Sequence, residues 1–221
     1  MAINISIFGL GYVGSVSAAC FASAGHSVIG VDVNPTKVEI INSGKSPIVE
    51  NGLEPLIAEA VKAGRLRATT DVHRSVIDTD VSLICVGTPS NPNGSLDLRH
   101  VERVSEQIGA GLKSKSTPHV VAVRSTMLPG TVANTIVPAL ERESGKKAGL
   151  DFFICINPEF LREGSSLKDF YSPPFTLIGA DDESTANTVR QLYENVSAPV
   201  FVTSVKTAEM IKYACNCFHA L

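Results

Sequence analysis

A chain of 221 residues with 44% hydrophobic side chains is long enough for one large domain with a substantial core. Its formal charge of −3, carried without any long basic run, argues against nucleic acid or an anionic membrane surface as a partner. No apolar run approaches the length of a membrane span, and the N-terminus enters a strand without a basic leader, so neither a transmembrane helix nor a signal peptide is expected.

The first predicted strand, Ala2 to Phe8, alternates apolar and polar residues and then turns fully apolar, as a strand entering a sheet interior should. It runs into Gly9-Leu10-Gly11-Tyr12-Val13-Gly14, after which Val13, Val16, Cys20, Phe21 and Ala24 recur at helical spacing up to Gly25. A second apolar strand, Val28 to Val31, ends in Asp32. In this order each part has a job. Gly9 makes the tight turn, Gly11 admits a pyrophosphate to the backbone, and Gly14 lets helix and strand pack closely. The helix N-terminus offers free N–H groups to the phosphates. Asp32 can accept hydrogen bonds from ribose hydroxyls and repels a 2′-phosphate, which favours NAD over NADP.

Further along, Asn34-Pro35 reads as an N-cap with proline at the first helical position, opening a helix through Lys37 to Ile41. A loop from Gly44 to Gly52 leads to a helix over Leu53 to Ala63 and a short strand over Leu66 to Thr70. Val81 to Val86 is a buried strand ending at Gly87-Thr88-Pro89, with a polar loop from Ser90 to Ser95 beyond it. A helix over Leu98 to Leu112, a strand over His119 to Val123, a helix over Thr131 to Glu143 and a strand over Phe152 to Ile156 follow. Alternation of this kind predicts the α/β class, with a doubly wound parallel sheet. From Asn157 the pattern changes: a short strand at Phe175 to Gly179, a helix at Glu183 to Glu194, an edge strand at Pro199 to Thr203, and a last helix from near Ser204 still running at Leu221. Its apolar stripe of Ala208, Ile211, Cys215 and Phe218 needs a partner, so the chain is expected to be the N-terminal portion of a longer protein.

Of the five cysteines, Cys20, Cys85 and Cys155 read as buried structural thiols. Cys215 and Cys217 point apart on a helix, so no metal site is expected. An odd cysteine count without an export signal fits the reducing cytoplasm.

Four strand ends carry polar groups that should converge on one rim: Gly9 to Gly14, Gly87-Thr88-Pro89, Ser125-Thr126 and Asn157-Pro158-Glu159. Glu159 and Glu163 are four apart and would share a face if they lay on one helical turn; a helix-start acid and a solvated charge are the alternative. In the last helix Glu209, Lys212, Asn216 and His219 line one face. Such a stripe is commonly a solvated surface, but Lys212 and Asn216 pointing into a cleft could stabilise an oxyanion.

These stretches resemble the nucleotide-sugar 6-dehydrogenases, the UDP-glucose and GDP-mannose dehydrogenase family. The match runs through the glycine turn, Ser46-Pro47-Ile48-Val49-Glu50, Cys85 to Pro89, Arg124-Ser125-Thr126 with Pro129-Gly130, Asn157 through Glu163, and Ala208 to Tyr213 with Asn216. The stretch from Lys212 to Ala220 is more similar to the GDP-mannose branch. Asn51 stands where the family usually has proline before Gly52-Leu53-Glu54.

The resemblance implies a Rossmann-type NAD-binding domain over residues 1–203 and, over 204–221, the start of a central dimerisation helix. A second domain for the sugar nucleotide would lie outside this chain. It implies four-electron oxidation of a sugar C6 alcohol by two NAD+, through a cysteine thiohemiacetal and thioester, for polysaccharide biosynthesis. Tyr12, Val13, Asp32, Lys37, Thr88 and Thr126 would contact NAD, and a water near Thr126 would take part in proton transfer. Glu163 would be the base for thioester hydrolysis and lie beside the sugar. Lys212 and Asn216 would hold the C6 oxyanion, and His219 would contact substrate. The family's Gly-Gly-x-Cys-x-Pro-Lys-Asp motif has no counterpart here, so this chain alone is expected to bind NAD without turning over sugar. A two-electron β-hydroxyacid dehydrogenase would share the glycine turn and the Lys212–Asn216 spacing. A non-catalytic NAD-binding, dimerising module is the remaining alternative.

Overall fold

Short β-branched runs separated by glycine and asparagine punctuation set the sheet in the computed structural model, which describes residues 2–220. The strands are β1 (Asn4–Phe8), β2 (Ser27–Val31), β3 (Leu66–Thr69), β4 (Val81–Ile84), β5 (Val120–Val123), β6 (Phe153–Ile156), β7 (Thr176–Ala180) and β8 (Val200–Thr203). They lie in one sheet in the order β3-β2-β1-β4-β5-β6-β7-β8. The first six are mutually parallel, as the α/β alternation predicts. Neighbouring residues face opposite layers: Leu83 and Ala122 join one core, Ile84 and Val123 the other. Both faces are covered, which is why β4 and β5 are apolar and buried along most of their length.

One layer holds α1 (Tyr12–Ser23), α3 (Leu53–Lys62), α7 (Ser166–Tyr171) and α8 (Glu183–Gln191). The other holds α4 (Val72–Ile77), α5 (Arg99–Lys113), α6 (Val137–Ser144) and the start of α9 (Val205–Ala220). The short α2 (Pro35–Asn42) begins as expected, with the Asn34 side chain accepting from the Thr36 N–H at 2.9 Å. The end of the last helix at Leu221 lies outside the described residues.

Three features depart from the sequence expectation. Helices α4 and α7 are additions; α4 is six residues long and is capped by Asp71, which accepts from the Arg74 N–H at 2.9 Å. The helix predicted over Thr131 to Glu143 begins as a π-helical turn, Val132–Ile136, and becomes α-helical at Val137. Pro138 has no N–H to give to the fourth carbonyl before it, so regular α-helical bonding is interrupted there. Finally, β7 runs antiparallel to β6, with β8 parallel to β7. The connection over residues 157–175 holds only the six-residue α7, and it returns the chain along β6 in the opposite direction.

At the opposite end of the strands from the glycine turn lies a buried polar network. The Ser82 hydroxyl donates to His119 Nε2 at 2.7 Å, and His119 Nδ1–H donates to the Thr79 carbonyl at 3.1 Å. Lys115 donates to the carbonyls of Val76, Ile77 and Thr79, closing the C-terminus of α4. His26 accepts the Ile3 N–H at 3.2 Å. Both imidazoles are therefore neutral: burial lowers His119 from 6.5 to about 3 and lowers His26 as well. Each folded pKa lies below its unfolded value, so their contribution is whole above pH 6.5 and is lost as pH falls toward the folded pKa. Denaturant unfolding between pH 7 and 4 should show stability falling, with His119 contributing up to about 1.4 kcal/mol per pH unit. His119→Asn should flatten the slope by that amount; an unchanged slope would refute the assignment.

Candidate functional site

Strand order reverses between β1 and β4, which opens a crevice at their carboxyl ends. Gly9 sits at φ +97°, and Gly11 precedes the first residue of α1 with no side-chain cap. A Cβ on Gly14 would fall 1.8 Å from the Gly9 carbonyl oxygen, whereas a Cβ on Gly11 would meet nothing within 4 Å. Gly14 thus serves internal packing, and Gly11 faces open space that a ligand backbone or phosphate can fill.

Asp32 closes the crevice on the β2 side. Its carboxylate accepts the Leu10 N–H at 2.7 Å and the Asn34 N–H at 2.9 Å, with Lys37 Nζ at 3.5 Å. Two backbone donors hold the carboxylate in place at the rim. The cleft of about 500 Å³ is lined by Gly9, Gly11, Asp32, Lys37, Val86 and Gly87 and walled by α5. From that helix come His100, Arg103 and Gln107, for which sequence analysis identified no role. Their signal was a polar face at steps of three and four, opening a helix just after a strand-end loop. The open face at Gly11, the free helix N-terminus and the fixed carboxylate together fit a dinucleotide.

A second cleft, about 700 Å³, opens between the segment after β6 and helix α9; its lining includes Phe160, Leu161, Arg162, Lys212, Asn216 and His219. Lys212 is 6% exposed, with Nζ 3.3 Å from Glu159 Oε1 and 5.0 Å from the Phe160 ring centroid. Glu209, one turn earlier, is 1% exposed and accepts the N–H groups of Gly130 at 2.6 Å and Val132 at 2.9 Å. The polar stripe of α9 is therefore buried over its first half, while Asn216 and His219 are exposed. Its first two members are buried, and Lys212, Asn216 and His219 share a cleft.

Glu159 and Glu163 do not share a helical turn. Residues 157–162 form an irregular segment in which Glu159 accepts the Leu161 N–H at 2.7 Å, and Glu163 lies on an exposed turn, outside the lining of the cleft, before α7. Glu159, which carried no role of its own in the family match, is the residue that pairs with Lys212.

Cross-strand bonds hold the rim together. The Thr88 hydroxyl donates to the Thr126 carbonyl at 2.8 Å, and the Ser125 hydroxyl to the Val86 carbonyl at 2.6 Å. Arg124 is buried and donates to Asn157 Oδ1 at 2.7 Å and to the Tyr193 hydroxyl at 2.6 Å. Tyr12 donates its hydroxyl to Glu50 at 2.6 Å; burial and that carboxylate raise the phenol to about 12, so it stays a donor. Val13 is half-buried beside it and packs on the core. Burial raises the thiols of Cys20 and Cys85 to about 12 and that of Cys155 as well, which keeps all three protonated and inert. Among the described residues no group of three or more His, Cys, Asp or Glu side chains could hold a metal ion.

Residues 3–197 match the NAD-binding domain of the UDP-glucose/GDP-mannose dehydrogenase family. The chain belongs to that family. Over 218 residues it is 54% identical to the GDP-mannose 6-dehydrogenase of Pseudomonas aeruginosa, covering 99% of this chain and 50% of the relative. Against the UDP-glucose 6-dehydrogenase of Haloferax volcanii identity is 40% over 223 residues, 99% of this chain and 51% of that one. The crystal structure of a ternary complex of GDP-mannose dehydrogenase from Pseudomonas aeruginosa superposes with a TM-score of 0.96 at 54% identity, covering 98% of this chain and 50% of that one. The chain thus spans about half the length of the relatives it matches.

The two glycines should separate binding from folding. Gly11→Ala should leave stability within about 0.5 kcal/mol. It should also weaken NAD+ binding at least about tenfold, or 1.4 kcal/mol, by calorimetry. Gly14→Ala should lose both binding and thermal stability. Equal melting temperatures for the two variants would contradict the packing role of Gly14.

Proposed function

We propose that this chain is the cofactor-binding half of an NAD+-dependent nucleotide-sugar 6-dehydrogenase that converts GDP-mannose to GDP-mannuronate. The observation that carries the reading is the buried Lys212, held by Glu159 and lining one cleft with Asn216 and His219, on a chain that also carries an NAD-type crevice. Support for the GDP-mannose branch comes from the higher identity to GDP-mannose dehydrogenases than to the UDP-glucose enzyme. Residues 1–203 form the cofactor domain, and 204–221 begin the helix that leads to the sugar-nucleotide domain.

In this reading Gly9 makes the cofactor turn, Gly11 admits the pyrophosphate, Tyr12 and Val13 contact NAD, and Gly14 lets α1 pack close enough to bring its N-terminus to the phosphates. Asp32 and Lys37 engage the adenosine ribose, and Thr88 and Thr126 flank the nicotinamide side. When bound, NAD+ supplies hydride acceptance, and a four-electron oxidation of one alcohol consumes two molecules. The Lys212 ammonium and the Asn216 amide donate hydrogen bonds to the sugar C6 oxygen as negative charge develops on it. Glu159 fixes the ammonium in place, His219 contacts the substrate, and a water near Thr126 carries protons away.

The aldehyde formed first is captured by a cysteine thiol outside this chain, and a second oxidation converts the thiohemiacetal to a thioester. Water then cleaves the thioester to carboxylate and thiol, with Glu163 taking the proton from water. The raised thiols of Cys20, Cys85 and Cys155 support placing that cysteine elsewhere. Association through α9 into a homodimer or larger assembly is part of the proposal, supported by Met210 and Phe218 exposed along that helix. So is a cytoplasmic location, supported by five free cysteines. The product, a nucleotide-linked uronic acid, suits polysaccharide biosynthesis.

The deciding experiment is the NADH yield per GDP-mannose consumed by the full-length gene product, with UDP-glucose alongside. The expected yield is two per GDP-mannose; one would establish a two-electron dehydrogenase, and turnover of UDP-glucose alone would overturn the sugar. Lys212→Ala should lower kcat by about 10²–10³-fold, as loss of an oxyanion donor does.

A further inference from the structure

One carboxylate joins the cofactor turn to the segment that carries Glu163. Glu50 Oε2 accepts the Tyr12 hydroxyl at 2.6 Å and the Gly164 N–H at 2.8 Å, while Oε1 accepts the Ser166 N–H at 3.0 Å. The same hydroxyl lies 3.0 Å from the Arg162 carbonyl. Tyr12 is the first residue of α1, directly after Gly11, and Gly164 follows Glu163 at φ +84°.

This is more than a surface contact. Ser165, the residue before α7, makes no side-chain capping bond, so Glu50 supplies the cap from more than a hundred residues away. Among the described residues no cation pairs with Glu50; hydroxyl and backbone donors hold its charge, and the Tyr12 hydrogen bond leads in lowering its pKa. Gly52 in the same loop would bring a Cβ to 3.2 Å of the Leu167 side chain, so loop and α7 are also packed together. A ligand seated at Gly11 and Tyr12 thus touches a residue whose far end holds the 162–166 turn.

We infer that Glu50 is a positioning residue that couples occupancy of the cofactor turn to the order of residues 162–166 and so sets where Glu163 stands. This rests on the proposed roles of the glycine turn as the NAD site and of Glu163 as base. Coupling of this kind is reciprocal: order in the turn favours cofactor, and cofactor favours order, by the same factor. A loop staple with no such coupling would raise the melting temperature but would leave the turn indifferent to NAD+.

Amide hydrogen exchange at Gly164 and Ser166, read by NMR with and without saturating NAD+, tests the coupling without needing turnover. Calorimetry first establishes saturation. NAD+ should slow both amides by about fivefold or more, the lower end of ordinary allosteric couplings. In Tyr12→Phe and in Glu50→Gln, each saturated with NAD+, the slowing should fall below about twofold. Should Glu50→Gln fail to fold, Tyr12→Phe decides, because it deletes only the hydroxyl. Equal slowing in Tyr12→Phe, or none in the unaltered protein with NAD+ bound, overturns the inference. Absence of calorimetric NAD+ binding would instead overturn the reading of the turn, and the inference with it.

Discussion

The approach of Gly14 to the Gly9 carbonyl is the constraint from which the site is built. With any side chain there a Cβ would sit 1.8 Å from that oxygen, so α1 can start where it does only on glycine. That start places Gly11 against open space and aims the Tyr12 hydroxyl at Glu50. A second close approach governs the other cleft. A Cβ on Gly179 would lie 2.5 Å from Ala208 Cβ and 2.6 Å from Ile156 Cγ2, so α9 beds onto β7 only because that position is bare. Overpacking of such contacts costs about 1–3 kcal/mol, a large part of a stability of about 5–15 kcal/mol. Two missing methyl groups thus position Tyr12 and Lys212.

Charge at the rim is held by geometry rather than by numbers of ion pairs. Exposed pairs such as Arg74–Asp78 are worth at most about 1 kcal/mol and organise little. Asp32, Glu50 and Glu209 each receive two or more backbone N–H groups or a hydroxyl, bonds to charged acceptors of about 1.5–3 kcal/mol each. Glu159 and Lys212 are both largely buried, so each depends on the other: loss of one partner leaves an uncompensated charge, at about 3–5 kcal/mol. Pairing with Glu159 keeps the ammonium fixed, which is what the oxyanion role proposed for Lys212 requires.

Much of this was legible in the residues. Strand and helix positions followed from periodicity and from Asn34-Pro35 and Gly25, and the glycine turn with Asp32 pointed to a dinucleotide. Other features were hidden for physical reasons. Helix α4 has only six residues, too few for a periodic signal, and α7 likewise. The reversal of β7 left no mark in its composition, because a short apolar run reads the same whichever way it pairs. Glu159 and Glu163 looked like a helical pair because their spacing is four, but residues 157–162 are irregular and Glu159 is engaged by Lys212 from a distant helix. Glu209 looked like one more member of a polar stripe, and its burial depends on the N-terminus of a helix almost eighty residues earlier.

What the sequence by itself determined is therefore local: which segments are strands and helices, where the glycine turn opens the first helix, and which strand ends in the acid Asp32. Turn, cap and periodicity preferences arise between residues a few positions apart, and those are readable in order. Only the tertiary structure decided that Lys212 meets Glu159, that α5 walls the cofactor cleft, and that Glu50 joins Tyr12 to Gly164. Those partners are brought together by packing of distant elements on one sheet edge, and a carboxylate is satisfied equally well by any donor that packing delivers.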